Sequence, residues 1–359
     1  MAVMESLTNE QEGLVSTTIE RYDNHKLQTW RLCDLKGYWR HHRHYVQNAG
    51  AMTPALEYGI WYHHAMDTMY KTHDPVEAAT VFQRGYTPIF EEFEHTDTTA
   101  AKHTVKMGCD SIIDYWKQWE PTIKNMEVLG IEKYFAMDIG LDPEHDCEEC
   151  NGAGYVEQWV GSPTPIPGEP LPRQDCVLCS GTGRLRGPVY CGVVDKVFRD
   201  KRSGQVVGMD HKTASMLSGA LISSFKISQQ FRGYMYWLKR HSPWAEEAGD
   251  YFYFDMILKT KTKYNDNKKF FRDTTLAQKP YLDEWWDDMV DHVKEVRRKI
   301  ATADETGRLP RQDSDACQKF NRICNFYDLC SQPRETRDTL AEQLFETEVW
   351  DPLNRDDDT

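Results

Sequence analysis

In the first third of the chain, hydrophobic and polar positions recur at helical spacing. Thr53-Pro54 and Asp74-Pro75 each join an N-cap residue to proline at the first helical position. They open the stretches TPALEYGIWYHHAMDTMYK and DPVEAATVFQRGYTPIFEEFE. A third helix is predicted through TAAKHTVKMGCDSIIDYWKQW, after which MEVLGIEKYFAMDIG turns strand-like, with Glu132 near its start. An interruption runs from about Pro143 to Gly187 and contains GSPTPIPGEPLP, which suits neither a helix nor a central strand. Beyond it, PVYCGVVDKVF and QVVGMDHKT read as two strands of a hairpin turned by RDKRSG. One long helix is predicted over SGALISSFKISQQFRGYMYWLKR, strands over YFYFDMILKTKT and KKFFRDTTL, and a helix over PYLDEWWDDMVDHVKEVRRKIA. The acidic end NRDDDT reads as frayed. Helices, strand, hairpin, helix and more strands together predict a mixed α/β domain.

Composition narrows the class. With 359 residues, 40% of them hydrophobic, the chain can build a real core, which excludes wholesale disorder. Its formal charge of −14 excludes a histone-like coat on nucleic acid, but not a cationic groove on an acidic enzyme. No apolar run approaches the ~20 residues of a membrane span, and MAVMESLTNEQEG lacks a signal-peptide pattern. The expectation is a soluble, cytoplasmic protein (host-cell cytoplasm if viral) with no membrane partner. Ten cysteines are too few for a disulfide scaffold, and several stand at metal-ligand spacing.

The chemistry concentrates in CGVVDKVFRDKRSGQVVGMDHKTA. Asp210 and Lys212 are two apart on a predicted strand, so their side chains leave one face. The hairpin brings Asp195 alongside. Two carboxylates and an ammonium suit a hard divalent cation beside a developing anion, and Gly192 and Gly208 leave room for close approach of another group. A solvated hairpin face is the ordinary alternative, but apolar flanks make unpaired charge there expensive. In YGIWYHH, His63 follows Gly59 by four residues, with His64 as the neighbouring choice. In SQQFRGYMYWLK, Gln230 and Tyr234 share a helix face and suit a phosphate or base edge, or else a polar stripe.

The order G-x-x-x-H (Gly59, His63), G-x-x-D (Gly192, Asp195), D-x-K (Asp210, Lys212), Q-x-x-x-Y (Gln230, Tyr234) resembles the RecB-like branch of the PD-(D/E)XK nucleases. The third motif carries Asp where Glu is commoner, and no proline precedes Asp195. The resemblance implies an α/β fold of restriction-endonuclease type, a mixed sheet flanked by helices. It implies that His63, Asp195 and Asp210, with the His211 backbone carbonyl, hold Mg²⁺ or Mn²⁺. Lys212 then orients water and neutralises charge, Glu132 assists, and Gln230 and Tyr234 position DNA. The implied activity is phosphodiester hydrolysis by a stand-alone exonuclease of phage or CRISPR type, acting on single- or double-stranded DNA ends in recombination, repair or phage DNA processing. Recombination or replication proteins are possible partners.

Two cysteine systems stand apart from these motifs. CEECNGAG and CVLCSGTG repeat C-x2-C-x-G-x-G, so Cys147, Cys150, Cys176 and Cys179 can close a tetrahedral Zn²⁺ shell. The repeat resembles the zinc knuckles of DnaJ-type chaperones. CQKFNRICNFYDLC contributes Cys317, Cys324 and Cys330, with Cys33 as the candidate fourth ligand. Iron–sulfur members of the RecB-like family place one early and three late cysteines around a [4Fe–4S] cluster; a second zinc or buried apolar thiols are the alternatives. The resulting division is an N-terminal helical region with the first core strand over 1–142, a zinc-knuckle insertion over 143–187, a nuclease core over 188–304, and a cysteine segment with acidic tail over 305–359. For DNA contact, YWRHHRHY offers Arg40 and Arg43 among aromatics. KTKTKYNDNKKFFR offers Lys259, Lys261, Lys263, Lys268, Lys269 and Arg272, or else a charged strand edge. The competing classes are a non-catalytic DNA-binding protein on a nuclease scaffold, a metal-binding co-chaperone and a redox iron–sulfur protein.

Overall fold

The computed structural model describes residues 19–47, 53–94, 103–157, 173–214, 216–259, 269–319 and 322–353. The Pro-rich stretch, the NRDDDT end and Lys261, Lys263 and Lys268 lie outside them. The chain divides into two compact units: Ala136–Tyr190 with the residues before Tyr22, and Tyr22–Phe135 with Cys191–Thr359.

The larger unit starts with helices α1 (Asn24–Leu32), α2 (Pro54–Thr72), α3 (Pro75–Phe93) and α4 (Val105–Ile123). Caps define the starts of α2 and α3 as the sequence predicts. The Thr53 side chain accepts from the Leu56 N–H, and the Asp74 carboxylate accepts from the N–H groups of Val76 and Glu77. Strand β1 (Met126–Asp138) follows, then β2 (Val189–Asp200) and β3 (Val206–Ala214), helices α5 (Gly219–Lys226) and α6 (Gln229–Arg240), strands β4 (Tyr251–Leu258) and β5 (Phe270–Leu276), and helix α7 (Lys279–Thr306). Helix α8 (Arg334–Leu344) comes last.

The central sheet is mixed. Its order is Arg21–Tyr22, β2, β3, β4, β5, with β1 also paired to β2. β2 and β3 form the predicted antiparallel hairpin, β4 runs parallel to β3, and β5 antiparallel to β4. Side chains alternate across the sheet. One face buries Phe198, Val207, Met209 and Ile257 against Tyr62, Met66 and Tyr70 of α2, Phe82 of α3 and Tyr115 of α4. On the other face, Phe231 of α6 stacks on Phe252 of β4 with ring centroids 5.0 Å apart. No described helix is long and apolar enough to cross a membrane.

One expectation changes. The single helix predicted from Ser218 to Arg240 is two, because the Ser228 hydroxyl accepts from the Phe231 N–H and restarts the chain as α6 after Ile227 leaves helical geometry. The close approach expected at Gly192 and Gly208 is made by aromatic rings. A Cβ at Gly192 would meet Phe135 and Tyr234, and one at Gly208 would meet Phe252.

The smaller unit repeats one turn twice. The Gly152 N–H donates to the Cys147 carbonyl and the Gly181 N–H to the Cys176 carbonyl, both at 3.1 Å. The copies cross-link through Cys147 N–H to Gly183 O at 2.8 Å and Cys176 N–H to Gly154 O at 2.9 Å. Short antiparallel pairs flank them, His145–Asp146 with Arg184–Leu185 and Tyr155–Glu157 with Arg173–Asp175. Gly154 has φ +80°, and a Cβ there would lie 2.4 Å from the Gly181 carbonyl oxygen, which as backbone has little freedom to yield. Gly154→Ala should therefore raise amide exchange in 145–157 and 173–186 roughly tenfold or more, while β3 and β4 keep their protection. Unchanged exchange in both segments would refute the close-packing argument.

Candidate active site

The hairpin register pairs Lys196 with Met209, which carries Asp195 one residue further along, toward Asp210. Asp195 and Asp210 are buried, 3% and 1% exposed. His63, from α2, places Nδ1 3.3 Å from Asp195 Oδ2. Lys212 Nζ lies 2.7 Å from Asp210 Oδ2. The His63 and Lys212 side chains keep about a quarter to a third of their surface, 27% and 30%, so the site has a buried acidic floor and a solvent-facing rim. Glu132, in β1, joins it: ligand atoms of His63, Glu132 and Asp195 all lie within 4.8 Å of one another. Glu132 holds φ +46°, a left-handed backbone that strains a non-glycine residue and is tolerated mainly where the surroundings demand it. His64, the alternative to His63, is exposed and packs on Trp61.

The electrostatics follow from crowding. Burial and repulsion from Asp195 push the Asp210 carboxyl up to about 6, against the pull of Lys212. Burial would raise Asp195 too, but the charge and hydrogen bond of His63, with Lys212 and Lys196, hold it below the ordinary carboxylate range. Burial lowers the His63 imidazole, yet Asp195 beside it wins and draws it upward. One oxygen-rich pocket with an imidazole, strongly buried negative charge and one carboxylate pushed toward neutrality is a donor set that fits a hard divalent cation.

Behind the site lies a buried polar network that the sequence reading missed. The His211 N–H donates to Asp195 Oδ2 at 2.8 Å. Lys196, fully buried, binds Asp67 Oδ1 at 2.9 Å and reaches His211 Nδ1 at 3.4 Å. Burial, then Lys196, hold the His211 imidazole well below its ordinary value, so Nδ1 accepts and Nε2 carries the proton toward Tyr115 Oη, 3.3 Å away. Tyr115 donates in turn to Asp255 Oδ2, which Arg272 also grips at 2.7 Å. The available signal was charge inside otherwise apolar strands, the adjacent Asp195 and Lys196 of VVDKVF and the single Asp255 of YFYFDMIL.

Arg272 is therefore a correction to the second basic run: its side chain is 4% exposed and paired with Asp255, not a surface cation. Lys259 and Lys269, from the same run, are partly buried and lie near the Tyr58 and Phe270 rings respectively. Arg40 and Arg43 also differ from the expected free phosphate contacts. Arg40 donates to the carbonyl and carboxylate of Glu348, both at 2.9 Å, and Arg43 lies 3.5 Å from Asp338. Gln230 Nε2 donates to Tyr234 Oη at 2.7 Å, while the Tyr234 ring packs against Phe135 and Phe252.

The cysteines form two groups. Cys147 and Cys176 sulfurs lie 3.8 Å apart, Cys150 and Cys179 3.7 Å apart, and all four are buried with their sulfurs within 4.8 Å. The Gly154 and Gly183 N–H groups donate to the Cys150 and Cys179 sulfurs at 3.2 Å, which favours thiolate. That chemistry fits a tetrahedral soft-ligand ion. Cys33, Cys317, Cys324 and Cys330 line one pocket with Phe326 and Tyr327, less tightly drawn than the first group. Burial raises the Cys330 thiol to about 11.

Mixed sheet, hairpin acids and the neighbouring lysine together define a class. A family model of the PD-(D/E)XK nuclease superfamily matches residues 25–331, and the chain belongs to that superfamily. No curated protein matches the chain.

Asp210 keeps its proton up to about pH 6 in the fold, whereas a free Asp loses it near about 3.9. Between those values the fold binds the extra proton, so this group's contribution to stability falls as pH rises through the window. Above it, ionised Asp210 costs the fold on the order of 3 kcal/mol. With chelator present at pH 7.5, Asp210→Asn should melt roughly 2–5 °C above wild type, and the gap should close as pH drops toward 4. Differential scanning fluorimetry reads this directly; a variant melting lower at pH 7.5 would remove the repulsion argument.

Proposed function

We propose that this chain is a Mg²⁺- or Mn²⁺-dependent deoxyribonuclease of the RecB-like branch, acting as an exonuclease on DNA ends. The gathering of His63, Glu132 and Asp195 beside Asp210 and Lys212 carries the reading. His63, Asp195, Asp210 and the His211 carbonyl would hold the ion, and Glu132, with ligand atoms within 4.8 Å of those of His63 and Asp195, would assist. A bound divalent ion supplies Lewis-acid polarisation of the scissile phosphate and lowers the pKa of water. Lys212, tethered to Asp210, orients the attacking water and offsets charge growing on the phosphoryl oxygens. His211, through its N–H on Asp195, fixes the carboxylate that must face the ion. The Gln230–Tyr234 pair presents an amide to DNA from α6. Arg40 and Arg43, given their partners, belong to anchoring the C-terminal segment.

The same reading gives the smaller unit a structural Zn²⁺ on Cys147, Cys150, Cys176 and Cys179, and gives Cys33, Cys317, Cys324 and Cys330 a [4Fe–4S] cluster. A cluster there closes a very long loop between chain ends. Recombination, repair or phage DNA processing is the setting that the resemblance implies.

On end-labelled linear DNA with Mn²⁺, wild type should shorten the strands and chelator should stop it. Lys212→Ala should retain less than roughly 1% of the rate. Equal degradation by wild type and Lys212→Ala would defeat the proposal. Metal analysis of protein purified without oxygen should find zinc and iron together. Cys176→Ser should lose the zinc alone and Cys324→Ser the iron alone; a colourless, iron-free wild type would exclude the cluster.

A further inference from the structure

A strongly cationic groove lies in the larger unit, apart from every residue assigned above to catalysis. It is an open cleft of about 570 Å³ between the C-terminal half of α7, the segment that follows it, and the start of α8. Its walls carry Arg298, Lys299, Arg308, Arg311, Arg334 and Arg337 against one carboxylate, Asp34. In a chain of net charge −14 this clustering runs against the average composition.

Partners sort the six. Lys299 is paired with Asp34 at 2.8 Å, Arg298 with Glu295 at 2.7 Å, and Arg337 donates to the backbone carbonyls of Cys330 and Gln332. Among the described residues, no carboxylate pairs with Arg308, Arg311 or Arg334, and all three are exposed. Like charges left together in this way repel, and the fold holds them close regardless. The loop that carries two of them is fixed from below, where the Leu35 N–H donates to the Arg311 carbonyl at 3.0 Å.

We propose that this groove binds the sugar–phosphate backbone of the DNA substrate, outside the cleavage site. Five of the six cations are arginines, whose planar forks suit phosphate oxygens better than an ammonium does. No aromatic side chain lines the groove, so there is no platform for stacking bases. The contact is therefore electrostatic and indifferent to sequence. It rests on the nuclease reading for the identity of its ligand.

The test compares wild type, the triple variant Arg308→Gln/Arg311→Gln/Arg334→Gln and the triple Arg→Lys variant at the same positions. Binding of a fluorescent DNA oligonucleotide is followed by anisotropy in chelator across a salt series, and cleavage of bis(p-nitrophenyl) phosphate with Mn²⁺ is followed separately. The Gln variant should bind DNA roughly 10–100-fold more weakly at moderate salt, with a log–log salt slope shallower by about 2–3. The Lys variant should keep the wild-type slope. The small diester, which cannot span the groove, should be cleaved at the wild-type rate by all three. Wild-type affinity and slope in the Gln variant overturn the proposal. Equal loss in the Gln and Lys variants also overturns it, since charge would then not be the cause. Tripolyphosphate binding at the groove with unchanged DNA affinity would reassign it to a small anion. Failure of wild type to cleave either substrate would instead strike the nuclease reading, and anisotropy would still decide the groove.

Discussion

Two carboxylates buried near each other, Asp195 and Asp210, are the constraint to which the surrounding structure answers. Each would be expensive alone, and together they repel strongly enough to push Asp210 up to about 6. His63 and Lys212 attend them from the solvent side, and Lys196 from the buried side. Lys196 is itself a buried charge and needs Asp67 on α2. The chain of compensation then runs through His211 and Tyr115 to Asp255 and Arg272. A buried pair of this kind contributes little net stability, yet removing one partner leaves an uncompensated charge that costs about 3–5 kcal/mol. Helices α2 and α4 are thereby held to the sheet by polar contacts that tolerate only one arrangement, which suits a site that must keep its acids in place.

What was legible in the sequence was local. Thr53-Pro54 and Asp74-Pro75 announce helix starts because a cap and a fixed φ are properties of two adjacent residues. Asp210 and Lys212 share a face because strands alternate, and the glycine-rich cysteine repeat carries its turn geometry with it. Long-range burial was not legible. Arg272 sits in a run of lysines whose pattern gives no warning that the fold buries it on Asp255. Arg40 looks like a free cation until Glu348, 308 residues away, closes on it. Ser228 lies within an unbroken helical pattern, and only its extended backbone and the bond its hydroxyl accepts from the Phe231 N–H show it to be a cap.

The cysteines answer a different shortage. Among the described residues, the smaller unit is built of short two- and three-residue strand pairs, which bury little apolar area of their own. Four buried sulfurs within 4.8 Å of one another form a donor set that fits an ion where that burial is slight. The Gly154 and Gly183 N–H groups turn onto the Cys150 and Cys179 sulfurs, and at Cys150, against the upward push of burial, this contact helps to draw the thiol below its ordinary value. In the larger unit the problem is closure: Cys33 follows α1, and its pocket-mates lie near the other end of the chain.

Strand register then links a distant turn to the chemistry. On β3, Asp210 and Lys212 face the site, while Met209 and His211 face the helices. A slip of one residue would exchange the two sets, putting a carboxylate among the tyrosines and Met209 or His211 at the rim. Prevention lies in the turn between β2 and β3. The Asp200 N–H donates to the Gln205 carbonyl, the Gly204 N–H donates back to the Asp200 carbonyl, and the Asp200 carboxylate accepts from the Arg202 N–H. Gly204, at φ +74°, supplies the left-handed step that the reversal needs. Packing on both faces of β3 opposes the same slip. The geometry of this cluster is thus set twice, by the turn that counts the residues and by the core that rejects any other count.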